Sequence, residues 1–166
     1  ASDVYKRQAQ DLSSRLDEIN REFKSILILT KNKNFMVAKS LTKKIKDPLI
    51  VSPISLSNKK AIMIEDEENL PFQENSFDLI LSDLMLHASN NLKTSLEKIY
   101  ALLKPDGLML CSMFGSETLR ELRSCLLEAE EQFNEKVYPR INPFTDIRTA
   151  GDLSLIHISE PTRPTP

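Results

Sequence analysis

A chain of 166 residues, 40% hydrophobic and 28% charged, has the make-up of one ordinary soluble globular domain with enough apolar material for a core. A net charge of −2 excludes bulk electrostatic attraction to nucleic acid or an anionic membrane, and the longest apolar runs, 25–29 and 108–114, are far too short to span a bilayer. No charged-then-apolar leader opens the chain, and Cys111 and Cys125 sit in apolar runs, so a cytoplasmic protein with reduced structural thiols is expected.

In chain order, Leu12, Leu16, Ile19 and Phe23 recur at helical spacing and predict a helix over 11–23 with one buried face. Residues 25–30 (SILILT) are apolar almost throughout, as in a strand covered on both faces. Helical spacing returns over 35–45, with Lys39, Lys43 and Lys44 on the wet side, and Asp47-Pro48 ends it. Strands are expected at 49–52, 61–64 and 77–82, then an amphipathic helix at 92–103 stopped by a Lys104-Pro105-Asp106-Gly107 turn, and a fifth strand at 108–113. Ser116 begins a helix carrying Leu119, Leu122, Leu126 and Leu127, and the stretch 136–146, with Pro139 and Pro143, reads as loop. Strands alternating with helices, most of them apolar throughout, predict an α/β fold built on a parallel sheet.

The two ends have a different character. Residues 3–8 (DVYKRQ) can be written in codons whose reverse complement translates as LSLIHI, and that peptide stands at 153–158. Two unrelated peptides have no reason to encode each other's opposite strand, so 1–8 and 153–166 are expected to be translated sequencing adapter, leaving 9–152 as a partial domain. His157 then drops out of functional consideration.

Glycine is scarce: average usage of roughly 7% would give about a dozen, yet there are three, and none precedes Gly107. Against that background stands an ordered set of short motifs: Leu70-Pro71-Phe72, then FDLILS at 77–82, then Leu86-His87, then LKPDG at 103–107. Together they resemble the middle of a class I S-adenosylmethionine-dependent methyltransferase. Residues 112–152 resemble a narrower branch, that of the biotin-pathway malonyl-carrier-protein methyltransferase and the mitochondrial complex I assembly factor related to it, with alphaproteobacterial relatives of the latter the nearest in kind. The resemblance implies a Rossmann-like sheet of strand order 3-2-1-4-5, cut before its last two strands, with strand five left as an unpaired apolar edge.

The resemblance also implies where a cofactor would sit, outside the carboxyl ends of the strands. After strand one the family has a glycine-rich turn that lets bare backbone approach the ligand; here that turn reads Thr30-Lys31-Asn32-Lys33-Asn34, a decayed, solvated loop or, alternatively, a phosphate-binding lysine pair. The acid that accepts from the ribose hydroxyls is expected after strand two, where Pro53 stands and Ser52 offers a single hydroxyl. Asp66, with Glu67 beside it, occupies the position that reads the adenine amino group, unless it is a solvated acidic loop. Ser82 and Leu84, with the residue between them, would line the cofactor floor. His87 lies where active-site residues gather, as a general base or, more blandly, a packing residue. Arg140, Asn142 and Phe144 fall in the branch-specific loop, facing substrate or solvent. No metal-ligand spacing, catalytic triad or phosphate loop is present.

Implied at family level is methyl transfer from S-adenosylmethionine to a carrier-protein-bound acid or a protein side chain, here through an eroded site. The alternatives are a non-catalytic assembly scaffold for a respiratory complex and an arginine hydroxylase of a complex I subunit. The implied partners are an acyl-carrier protein or a respiratory-complex subunit.

Overall fold

The computed structural model describes residues 2–31, 45, 47–53, 61–64, 70–133 and 144–158. They fall into two compact units, 1–113 and 114–166. The first unit holds α1 (Ser2–Glu18), β1 (Ile26–Thr30), β2 (Leu49–Ser52), β3 (Ala61–Met63), β4 (Phe77–Asp83), a 3-10 turn (Leu86–Ala88), α2 (Leu92–Leu102) and β5 (Leu103–Ser112). Its five strands form one parallel sheet of order β3-β2-β1-β4-β5, the expected topology, with β5 at the edge and paired to β4.

Burial follows from the strand sequences. All five residues of β1 are buried, as a central parallel strand requires. Alternate residues face opposite ways. Ile26 and Ile28 of β1, with Leu79 and Leu81 of β4, pack on Leu12 and Leu16 of α1. Leu27, Leu29 and Ile80, pointing the other way, are equally inaccessible. β3, at the opposite edge, leaves Ile62 and Met63 exposed. The helix expected over 11–23 begins earlier and ends at Glu18; Phe23 remains buried beyond it and receives the Arg21 guanidinium on its ring, so its apolar signal reported burial and not helix.

Asn91 caps α2 by accepting from the Thr94 N–H at 3.2 Å. Inward from that start, Leu96, Ile99 and Leu102 are buried. The Lys104-Pro105-Asp106-Gly107 turn is incorporated in β5, which therefore starts five residues before the expected strand. Phe77 pairs with Leu103 while Leu79 pairs with Leu108, a bulge that absorbs the extra residues. The left-handed residue in it is Asp106 (φ 60), and Gly107 has no positive φ. Gly107 is needed for space: a Cβ there would lie 2.8 Å from the Lys104 carbonyl oxygen and 3.0 Å from the Leu103 side chain. Gly107→Ala is expected to destabilise the fold by about 1–2 kcal/mol, since the obstructing atom is backbone. A urea midpoint equal to the parent's would contradict that packing.

The second unit holds α3 (Arg120–Phe133) and α4 (Ile147–Ile158). The helix expected from Ser116 starts at Arg120, after a turn that puts Leu119 in the left-handed region (φ 59). Leu119, Leu122 and Leu127 are exposed. No helix was expected at 147–158; Asp146 starts it, accepting from the Thr149 N–H at 2.9 Å and its hydroxyl at 2.7 Å. No helix among the described residues is long and apolar enough to cross a membrane.

Candidate functional site

The chain leaves β1 for β2 and β3 on one side of the sheet and returns through β4 on the other. The carboxyl ends of β1 and β4 therefore flank the topological switch point, where crevices form in open α/β sheets. Both strands end in polar residues. Thr30 and Asp83 are register partners, and Ser112 of β5 is the partner of Asp83 on its other side. Both neighbours donate to the Asp83 carboxyl: the Thr30 hydroxyl to Oδ2 at 3.3 Å and the Ser112 hydroxyl to Oδ1 at 3.3 Å. Burial pushes the Asp83 carboxyl above the ordinary carboxylate range, against the opposing pull of the two hydroxyls.

Just beyond, Leu84 takes a left-handed conformation (φ 50), which for such a side chain costs about 1–2 kcal/mol. Its N–H is held by Ser112, through the carbonyl at 3.0 Å and the hydroxyl at 3.2 Å. The turn re-aims the chain so that Leu84, Met85 and Leu86 are all buried under the strand ends. Ser82, on the opposite side of β4 from Asp83, has a fully buried hydroxyl with no hydrogen-bond partner among the described residues. Such a group is costly unless something else meets it.

Ser82 and Asp83 close β4 and Leu84 follows directly, all three beside the carboxyl end of β1. In the sequence Asp83 falls within the 82–84 floor stretch without a role of its own. The available signal was an acid closing an otherwise apolar strand (FDLILSD), opposite a threonine closing another (ILILT). His87 is half-buried on the 3-10 turn that follows. β2 ends at Ser52, whose side chain is buried, and Pro53 follows directly with neither an N–H nor a carboxylate to offer. Phe144 lies in the second unit, its ring edge-on to Phe114 with centroids 5.8 Å apart. Asp66, Glu67, Arg140, Asn142 and the turn residues Asn32, Lys33 and Asn34 lie outside the described residues.

Comparison with known proteins adds to this geometry. Residues 35–111 match the model of a methyltransferase domain. The chain is 48% identical over 91 residues to the arginine-hydroxylase NDUFAF5, mitochondrial, of Mus musculus, an alignment covering 55% of this chain and 26% of that protein. It is 36% identical over 105 residues to the malonyl-[acyl-carrier protein] O-methyltransferase of Xylella fastidiosa, covering 63% of this chain and 34% of that enzyme. The chain therefore spans about a quarter to a third of the length of these relatives. Among solved structures, the YcgJ protein of Bacillus subtilis superposes with a TM-score of 0.64 at 14% identity, over 91% of this chain and 68% of that one, a likeness of fold. In its sheet order and in the matched residues 35–111, the chain is similar to methyltransferase domains.

Proposed function

We propose that this chain is a methyltransferase-like domain that keeps the family's frame but has lost part of its hold on S-adenosylmethionine, the cofactor of the family. The observation that carries this reading is Pro53 at the carboxyl end of β2. A ribose there needs a paired acceptor for its two hydroxyls, and proline supplies none. Each charge-assisted hydrogen bond forgone costs about 1.5–3 kcal/mol, or one to two decades of affinity. In the same reading Asp66 and Glu67 face the adenine. Ser82, Leu84 and His87 form the floor, and Arg140, Asn142 and Phe144 are the substrate-loop residues. That acceptor is a carrier-protein-bound acid or a protein side chain, the first supported by the name of the Xylella relative.

Calorimetric titration of this chain with S-adenosylmethionine tests the proposal. The expected dissociation constant is about 100 µM or weaker, two decades above a micromolar site. Low-micromolar binding would overturn it.

The identity to the arginine hydroxylases favours a second reading, in which the domain serves a respiratory-complex subunit as an assembly scaffold or in hydroxylation of an arginine. Capture by purified complex I subunits with no cofactor present, and not by acyl-carrier protein, would select it. We further propose that the functional part is 9–152, with adapter-derived residues at 1–8 and 153–166, although helices α1 and α4 run across both boundaries. A cytoplasmic location is supported by the two free thiols, Cys111 and Cys125, whereas the name of the Mus musculus relative places that protein in mitochondria.

A further inference from the structure

β5 pairs with β4 on one side and with no other strand among the described residues. Its free side has a definite pattern. The Leu84 N–H donates to the Ser112 carbonyl at 3.0 Å, so Ser112 turns its backbone groups toward β4. Backbone groups alternate in direction along a strand, so Leu108 and Leu110 also turn toward β4, and those of Gly107, Met109 and Cys111 point out of the sheet edge. Exposed edges are guarded in proteins by charge, proline or a bulge. β5 has all three, but only in its first half: Lys104, Pro105 and the left-handed Asp106 of the bulge. From Gly107 to Phe114 there is neither charge nor proline. Within that stretch Cys111 is exposed, and Leu108, Met109 and Leu110 are half-buried.

A strand that pairs with this half must itself be short, uncharged and open along one edge. A second copy of β5 meets all three conditions, and its guarded half stays outside the paired residues. We propose that two copies of this chain pair antiparallel along residues 107–111 about a twofold axis through Met109, joining their two five-stranded sheets into one. This axis engages every outward residue of the unguarded half: Met109 bonds its own counterpart and Gly107 bonds Cys111 of the other copy, about six backbone hydrogen bonds in all. Leu108 then faces Leu110 of the other copy at the closer, non-hydrogen-bonded positions. Both leucines already pack on the core that holds Ile28 and Leu81, so the two cores meet at the axis. Five paired residues from each copy make a small contact, so the dimer is a weak one, with a dissociation constant on the order of 10–100 µM.

The test uses this chain with no ligand, so its outcome is independent of whether S-adenosylmethionine binds. Sedimentation equilibrium between about 5 and about 500 µM is expected to show a monomer passing to a dimer and to nothing larger. Met109→Pro removes an N–H that points away from β4, so it is expected to stay monomeric at least about tenfold beyond the parent's midpoint while melting within a few degrees of the dilute parent. A second measurement needs no destabilising change. With Cys111→Ser and Cys125→Ser in the background, Met109→Cys is expected to form a covalent dimer under mild oxidation. Leu110→Cys in the same background is not, because its counterpart lies diagonally, beyond the reach of a disulfide. A parent that stays monomeric throughout overturns the proposal. So does association that grows without limit, the mark of β5 adding to a different edge of the next copy, or cross-linking at Leu110 in place of Met109.

Discussion

Asp78→Ala is expected to lower the stability of the domain by about 2–3 kcal/mol, near 5–10 °C in melting temperature for a chain of this size. Asp78 is the fastening of the amino end of the sheet. Its Oδ2 accepts from the Lys24 N–H at 3.0 Å and the Ser25 N–H at 2.9 Å, the two residues that lead into β1. Its Oδ1 accepts from Lys104 at 3.0 Å, and that ammonium also donates to the Ser25 hydroxyl at 3.1 Å. Three strands are tied through one carboxylate. Removing it leaves two strand-entry amides and a lysine without their acceptor; the lysine is about a third exposed and recovers part of its loss from water. Burial tends to raise this carboxyl, but Lys104 and the Ser25 and Lys24 amides outweigh it and hold it below its ordinary value. Its contribution is therefore present above pH about 4 and is lost as pH falls through the depressed folded value. Thermal melts of parent and variant at pH about 7 and about 3 check both points. A gap that does not narrow in acid would contradict the charge-assisted role, and a variant melting with the parent would contradict the fastening.

The frame was legible because its strands obey one rule. ILILT, LIVS and FDLILSD are short, apolar and closed by a polar residue, the pattern of buried parallel strands ending at a crevice. What sequence could not give was register. Thr30, Asp83 and Ser112 are separated by 53 and 29 residues along the chain, and only the pairing of β1 with β4 and of β4 with β5 makes them one cluster. The same ignorance misplaced β5. Pro105 and Gly107 carry the local signature of a turn, but pairing of Leu103 and Leu108 with β4 on either side keeps the stretch inside β5 as a bulge and leaves the departure to Asp106, whose short polar side chain tolerates a left-handed backbone. Leucine spacing after Ser116 misled in the other direction: it fits a helix, but the backbone turns at Leu119 and the helix begins one residue later. Periodicity says which residues share a face, and it does not say where the first hydrogen-bonded turn closes.

Pro53→Asp is expected to raise the affinity of this chain for S-adenosylmethionine by about 10–100-fold, from one to two charge-assisted hydrogen bonds. The substitution puts a carboxylate one residue past β2, beside the buried Ser52 side chain, where a ligand lying along the strand ends would present its ribose. Releasing the proline ring frees the unfolded chain and costs about 0.4–1 kcal/mol of stability, small enough to leave the domain folded. Pro53→Ala restores the N–H and the backbone freedom without the charge, so it is expected to bind no better than the parent. S-adenosylhomocysteine shares the ribose but lacks the sulfonium charge, and it is expected to gain by the same factor; a gain confined to S-adenosylmethionine would mean general attraction of a cation by the new acid. If the aspartate variant gains for neither ligand while melting within a few degrees of the parent, the end of β2 is not what limits binding, and the weakness must be sought at the turn that follows β1.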